Sequence, residues 1–95
     1  PTANTFADGL ATRNAFELPL GILREHVDDF MLVSEDEMRN AIRLYAEHCH
    51  TIAEGAGAAT LAGAIKLKEQ LRGKKVVLVL SGGNLSYEEL IKCLK

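Results

Sequence analysis

The chain has no long apolar run, few cysteines, few aromatic residues and no excess of charge of one sign, and each shortage excludes something. Its longest apolar stretch, residues 76–80, is far short of the roughly 20 residues a membrane-crossing helix needs. Residues 1–7 lack both the basic region and the apolar core of a secretory signal. Cys49 and Cys93 are too few and too far apart for a disulfide scaffold, so quiet thiols in a reducing, cytoplasmic setting are expected. Eleven Lys and Arg against thirteen Asp and Glu leave a net charge of −2 with no basic cluster. That balance argues against a nucleic-acid or anionic-membrane partner.

Two functional fingerprints are also missing. G-A-G-A at residues 55–58 follows no strand and does not complete G-x-G-x-x-G, so a dinucleotide fold has no support. Val79 stands two residues before Ser81, where a G-x-S-x-G nucleophile elbow needs glycine. His48, Cys49 and His50 invite a metal reading, but neighbours one and two apart on a helix do not face a common point. They read as surface and core-edge residues.

What is present describes one globular unit or part of one: 95 residues, 47% hydrophobic and only 5% aromatic, against about 100–200 residues per domain. The start at proline rather than methionine suggests a processed protein or a piece. Residues 4–13 mix small and polar side chains around Asp8 and Gly9, with Phe6 and Leu10 as the large anchors, and read as a loop leading into a helical turn. Phe16, Leu20, Leu23 and Val27 then form one apolar helical face, which predicts a helix over about 17–27 with Pro19 in its first turn. Asp28 and Asp29 form a solvated turn before residues 30–33, a short apolar run that predicts a strand buried on both faces. Ser34 and Glu37 spell an S-x-x-E capping box. In the helix it starts, Met38, Ala41, Ile42, Tyr45, Ala46 and Cys49 line one face while Arg39, Arg43 and Glu47 look elsewhere.

Residues 51–64 are dense in Gly and Ala. Each interior Gly costs about 1 kcal/mol relative to Ala, so close approach to another backbone or a flat ligand must supply the return. The helix continues through Leu61 and Ile65 until Gly73 stops it. Residues 76–80 predict a second buried strand, followed at once by Ser81, Gly82, Gly83 and Asn84. Ser86 and Glu89 spell a second capping box, starting a last helix with Leu90, Ile91 and Leu94 on its apolar side.

Helix, strand, helix, helix, strand, helix is an α/β order with parallel strands and right-handed crossovers. Two strands cannot complete such a sheet. Further strands are therefore expected from elsewhere, in a larger domain or an obligate partner chain. Ligands of open α/β sheets bind beyond the carboxyl ends of strands, where Ser81 to Asn84 fall. That segment reads either as an ordinary strand-to-helix turn or as a ligand loop. Glu54, before the small-residue helix, is either a capping acid or a carboxylate facing a ligand. Asp8 is either a turn residue or a group near a substrate.

T-F-A-D-G-L-A at residues 5–11, V-D-D-F-M-L-V-S-E-D-E-M at 27–38, A-E-G-A-G-A at 53–58 and L-S-G-G-N at 80–84 together resemble threonine dehydratase. Their order and spacing cover most of the chain and are similar to the C-terminal part of the catalytic domain of fold-type-II pyridoxal-phosphate enzymes. The resemblance implies a fold class of α/β with a partial parallel sheet and flanking helices, in a tryptophan synthase beta-like domain. Residues 1–95 would be a C-terminal portion, incomplete alone. The implied cofactor is pyridoxal 5'-phosphate, with Ser81 at its pyridine nitrogen, Gly82 and Gly83 beside the ring, Asn84 fixing the turn, Glu54 near its edge and Asp8 in a loop closing toward substrate.

The implied reaction converts L-threonine or L-serine to a 2-oxo acid and ammonia. The family's Schiff-base lysine belongs to an S-F-K-type motif, and none of Lys66, Lys68, Lys74, Lys75, Lys92 or Lys95 has that setting. No catalytic residue is therefore expected in this segment, and the phosphate-binding glycine run is absent too. The expected partners are the N-terminal remainder of the enzyme and an amino-acid substrate, in a homo-oligomer of the parent. A serine racemase, a threonine synthase or a noncatalytic assembly module built on the same scaffold are the alternatives. A-E-G-A-G-A in place of an E-P-T-type sequence favours a dehydratase.

Overall fold

The structure, a computed structural model, describes residues 4–12 and 14–95. A 3-10 turn at Asp8–Leu10 is followed by α1 (Glu17–His26), α2 (Glu35–Cys49), α3 (Gly55–Lys66), the short α4 (Lys68–Leu71) and α5 (Tyr87–Leu94). The helix expected over about 17–27 forms one residue shorter, with Pro19 in the first turn, where its missing N–H costs nothing.

α2 is the central element. Its capping box closes in both directions: Ser34 Oγ accepts the Glu37 N–H at 3.0 Å and Glu37 Oε2 accepts the Ser34 N–H at 3.0 Å. Met38, Ala41 and Ile42 are buried, Tyr45 and Ala46 half-buried, and Cys49 lies exposed instead of extending the apolar face. His50 ends the helix in the left-handed region at φ 52°. α2 packs on α3 and α5, and α3 carries the Asp8–Leu10 turn. The core is made of small side chains: Ala7, Ala41, Ala53, Ala58, Ala62 and Cys93 surround Ile42 and Met38. Cys93, not Leu94, is the buried residue of the last turn of α5, where Leu94 is 51% exposed.

The second capping box closes only halfway. Ser86 Oγ accepts the Glu89 N–H at 3.2 Å, but the Glu89 carboxylate turns to Arg39 at 3.7 Å and Lys92 at 3.5 Å. Arg39 correspondingly leaves the outward face its helical spacing assigns it.

The two expected strands are the largest departure. Residues 30–33 and 76–80 belong to no β-ladder among the described residues, so no parallel sheet forms. Over residues 30–33 and 77–80 the side chains nevertheless alternate as in strands: Phe30 and Leu32 are 82% and 79% exposed and Val77 and Val79 are 92% and 67% exposed, while Met31, Val33, Leu78 and Leu80 are half-buried; Val76, exposed beside Val77, breaks the pattern. Each segment thus has the period of a strand with one face covered, and lacks a neighbour to pair with. Side chains of α3 hold both: Thr60 Oγ1 donates to the Val79 carbonyl at 2.9 Å and Lys66 Nζ to the Leu32 carbonyl at 3.0 Å.

The molecule is a slab of 38 × 36 × 19 Å, as thin as one layer of helices on one layer of extended chain. It exposes 7412 Å², whereas a compact monomer of its mass exposes about 5,400 Å², an excess of roughly 2,000 Å². Among the described residues α1 packs on no other helix, and its expected apolar face stays open at Phe16, Leu23 and Val27.

Candidate functional site

Three segments meet at the N-terminus of α3. Glu54 is the residue before that helix, and its side chain makes no capping hydrogen bond. Its backbone N–H donates to the Gly82 carbonyl at 3.1 Å, and its carboxylate oxygen Oε1 lies against Gly82. Of the two sequence readings for Glu54, the cap is not the one its side chain adopts.

The small residues of A-E-G-A-G-A give the close approach they were expected to supply. A β-carbon on Gly57 would stand 2.5 Å from the Gly82 carbonyl oxygen, and one on Gly55 would stand 2.8 Å from Ala7 Cβ and from Phe6 Cε2. The Asp8–Leu10 turn sits beside them, with Gly9 seated on Ala56. Gly83 backs onto the carbonyl of Ile52. Glu54, the Asp8 turn and residues 81–84 therefore lie around one helix end. Ser81 and Asn84 are exposed, Gly82 and Glu54 half-buried, and Asp8 exposed. No salt bridge or side-chain hydrogen bond engages Ser81, Asn84 or the Asp8 carboxylate among the described residues.

A further group holds the Asp8 turn in place. Glu35 Oε2 accepts the Phe6 N–H at 3.2 Å, and the Arg39 guanidinium lies 4.6 Å from the centre of the Phe6 ring. Arg39 Nε faces Glu89 Oε2 at 3.7 Å, beyond hydrogen-bonding reach, with both atoms sealed from solvent. Sequence reasoning missed this arrangement, because helical spacing alone puts Arg39 off the buried face. The only signal was a large aromatic residue, Phe6, in an otherwise small and polar loop.

The model of the pyridoxal-phosphate dependent enzyme family matches residues 1–82. The chain belongs to that family. Its members use pyridoxal phosphate as cofactor, and the exposed Ser81, a neutral hydroxyl with no side-chain partner among the described residues, fits a polar atom of such a group.

Among relatives, the L-threo-3-hydroxyaspartate ammonia-lyase of Saccharomyces cerevisiae is 40% identical over 88% of this chain and 26% of its own length. The L-threonine ammonia-lyase of Thermotoga maritima is 38% identical over 85% of this chain and 20% of its own. The crystal structure of serine racemase from Dictyostelium discoideum superposes with a TM-score of 0.78 at 39% identity, covering 87% of this chain and 28% of that one. The chain thus spans about a quarter of the length of the relatives it matches, and the family's domain is where its fold belongs. No helix among the described residues is long and apolar enough to cross a membrane.

Proposed function

We propose that this chain is the C-terminal portion of the catalytic domain of a cytoplasmic ammonia-lyase that converts L-threonine or L-serine to a 2-oxo acid and ammonia. The observation that supports this reading is the junction of Glu54, Gly57 and Gly82, which sets the segment holding Ser81 beside the N-terminus of α3, where the Asp8 turn also packs. Bound pyridoxal phosphate supplies the electron sink for the α-carbon of an amino acid. In this chain, Ser81 offers the ring nitrogen a neutral hydroxyl that can donate or accept. Such a partner does not hold the nitrogen protonated as a carboxylate would, and the weaker electron withdrawal suits early loss of a β-hydroxyl.

Gly82 and Gly83 would lie beside the ring with their own open sides taken by the Glu54 carboxylate and the Ile52 carbonyl, and Asn84 would fix the turn beyond them. Glu54 sets a carboxylate at the edge of the cofactor, and Asp8 lies on the turn that approaches the substrate. The lysine that anchors the cofactor and moves the α-proton comes from the N-terminal remainder, so the 95 residues alone are inactive.

Serine racemase is the second reading, favoured by the superposition on the Dictyostelium discoideum enzyme. One assay separates them. The whole catalytic domain is supplied with pyridoxal phosphate and L-threonine, L-serine or L-threo-3-hydroxyaspartate, and 2-oxo acid, ammonia and D-serine are measured. Oxo acid from L-threonine at a higher kcat/KM than from the other two supports the dehydratase. D-serine as the main product from L-serine replaces it by the racemase, and no turnover with bound cofactor removes both.

A further inference from the structure

Glu35 and Arg39 stand one turn apart on α2 and share one partner, Phe6. Glu35 Oε2 accepts the Phe6 N–H at 3.2 Å, and the Arg39 guanidinium lies 4.6 Å from the centre of the half-buried Phe6 ring. Phe6 leads directly into the Asp8 turn. Its carbonyl accepts the Asp8 N–H at 3.0 Å, and the Leu10 and Ala11 N–H groups close the turn on the Ala7 and Asp8 carbonyls at 2.8 and 3.0 Å. Those bonds shape the turn internally. Among the described residues, the bond from Phe6 to Glu35 is the one hydrogen bond that ties it to another element.

Against α3 the turn rests on small groups, Ala7 at Gly55 and Gly9 at Ala56. Apolar contacts are non-directional, so the aim of the turn comes from α2. The Asp8 side chain is exposed and has no side-chain partner among the described residues.

We propose that Glu35 and Arg39 are positioning residues: by holding Phe6 they set where the Asp8 carboxylate stands before an amino-acid substrate. This rests on the reading of the chain as part of a catalytic domain that converts an amino acid, with the Asp8 turn toward that substrate.

Stability alone does not account for Arg39. Its Nε and Glu89 Oε2 are sealed from solvent 3.7 Å apart with neither hydrogen-bonded, so their desolvation is not offset by a bond. An aliphatic side chain would cover the Phe6 ring without that cost. What the guanidinium adds is orientation: a planar group over the ring, with its Nε facing Glu89 of α5. Local departures from the most stable choice are expected where a site is held in shape.

The test uses the whole catalytic domain with bound pyridoxal phosphate, and whichever of L-threonine, L-serine or L-threo-3-hydroxyaspartate the unsubstituted domain converts best. Arg39→Met, which keeps an apolar cover on the ring, should lower kcat/KM about 10–100-fold, the loss that a displacement of about 1 Å produces. Glu35→Ala should lower it about 5-fold or more through an independent contact, and Glu35→Gln, which keeps an acceptor for the Phe6 N–H, should recover most of that. The dissociation constant of pyridoxal phosphate, read from its visible absorption, should stay within about 2-fold in all three. Ser34→Ala weakens the same end of α2 through its cap and is the control, with kcat/KM within about 2-fold of the unsubstituted domain. Because Arg39 acts through Asp8, Arg39→Met should add less than about 2-fold to the loss in Asp8→Asn.

Losses at Arg39 and Glu35 no larger than in Ser34→Ala overturn the proposal and leave the enzymatic reading standing. So does an undiminished Arg39→Met effect in the Asp8→Asn background, or a kcat/KM unchanged in Asp8→Asn alone. A parallel loss of cofactor affinity would make both residues supports of the whole site and overturns the proposal too. An unsubstituted domain that binds the cofactor and converts none of the three amino acids sinks the enzymatic reading, and the proposal with it.

Discussion

Glu54 and Gly82 are locked together twice: the Glu54 N–H donates to the Gly82 carbonyl at 3.1 Å, and Glu54 Oε1 fills the space a β-carbon on Gly82 would take. Gly57 completes the contact from the next turn of α3, 2.5 Å from that carbonyl oxygen once a β-carbon is added. The two glycines face different obstacles, one a flexible carboxylate and the other a fixed backbone oxygen, so alanine at each should have different consequences.

Gly57→Ala should destabilise the chain by a net of about 1–2 kcal/mol, because overpacking against backbone outweighs the roughly 1 kcal/mol gained in helix propensity. Gly82→Ala should cost under about 1 kcal/mol, since Glu54 can swing aside, and the cost should vanish in a Glu54→Ala background. Urea unfolding of the four variants measures both. Equal losses at the two glycines would mean that the backbone of residues 81–84 yields as easily as a side chain.

The capping box of α2 gives a pH dependence of known sign. The Ser34 N–H bonded to Glu37 is the main cause that lowers the Glu37 pKa below the ordinary carboxylate value; desolvation opposes it, and the Lys66 ammonium 3.4 Å away lowers it further. A group with a depressed folded pKa contributes stability that is present above its unfolded pKa and lost as pH falls through the folded one. Thermal unfolding between neutral pH and the acid limb should therefore show a fall that Glu37→Gln reduces, while Ser34→Ala costs about 1 kcal/mol near neutrality. An acid limb unchanged by Glu37→Gln would remove this carboxylate from the linkage.

How far the sequence revealed all this depends on the range of the interaction. The α2 capping box and the Asp8 turn are local, and S-x-x-E and F-A-D-G-L placed them. The expected strands at residues 30–33 and 76–80 have the apolar runs of strands, yet form no ladder among the described residues, because an apolar run reports burial and not which segment lies beside it. The gathering of Glu54, Ser81 and Asp8 at one helix end came from motif order rather than from periodicity. The Glu89 half of the second box failed for a tertiary reason: Arg39, assigned to solvent by its spacing, draws that carboxylate away from the Ser86 N–H.

The two thiols should react in a fixed order. Cys49 is exposed, whereas Cys93 is buried in the core, and desolvation and then the Glu89 carboxylate raise its pKa against a lowering by Arg39. The thiolate is the reactive form, so both access and ionisation disfavour Cys93. Iodoacetamide at pH 8 should give a singly alkylated folded chain, with peptide mapping placing the label on Cys49, and a doubly alkylated chain in urea. Early labelling at Cys93 would mean that α5 detaches from α2 in the folded ensemble.

Arg39 joins three elements, with its guanidinium over Phe6 and its Nε facing Glu89 across 3.7 Å of sealed space. Arg39→Ala removes the ring contact, worth about 0.5–1 kcal/mol, and leaves Glu89 with only the more exposed Lys92 nearby. A total loss of about 1–2 kcal/mol follows, from the contact together with the weakened charge pairing. Part of it should be recovered in a Glu89→Gln background, where no carboxylate is stranded. Arg39→Lys should fall between, since an ammonium keeps the charge but not the planar face that lies on the ring. A local readout separates this clamp from general loosening: the Leu10 amide, bonded to the Ala7 carbonyl at 2.8 Å, should exchange faster in Arg39→Ala while the amides of α3 keep their order of protection. If Leu10 and α3 instead lose protection in proportion, Arg39 stabilises the whole slab and does not specifically hold the Asp8 turn.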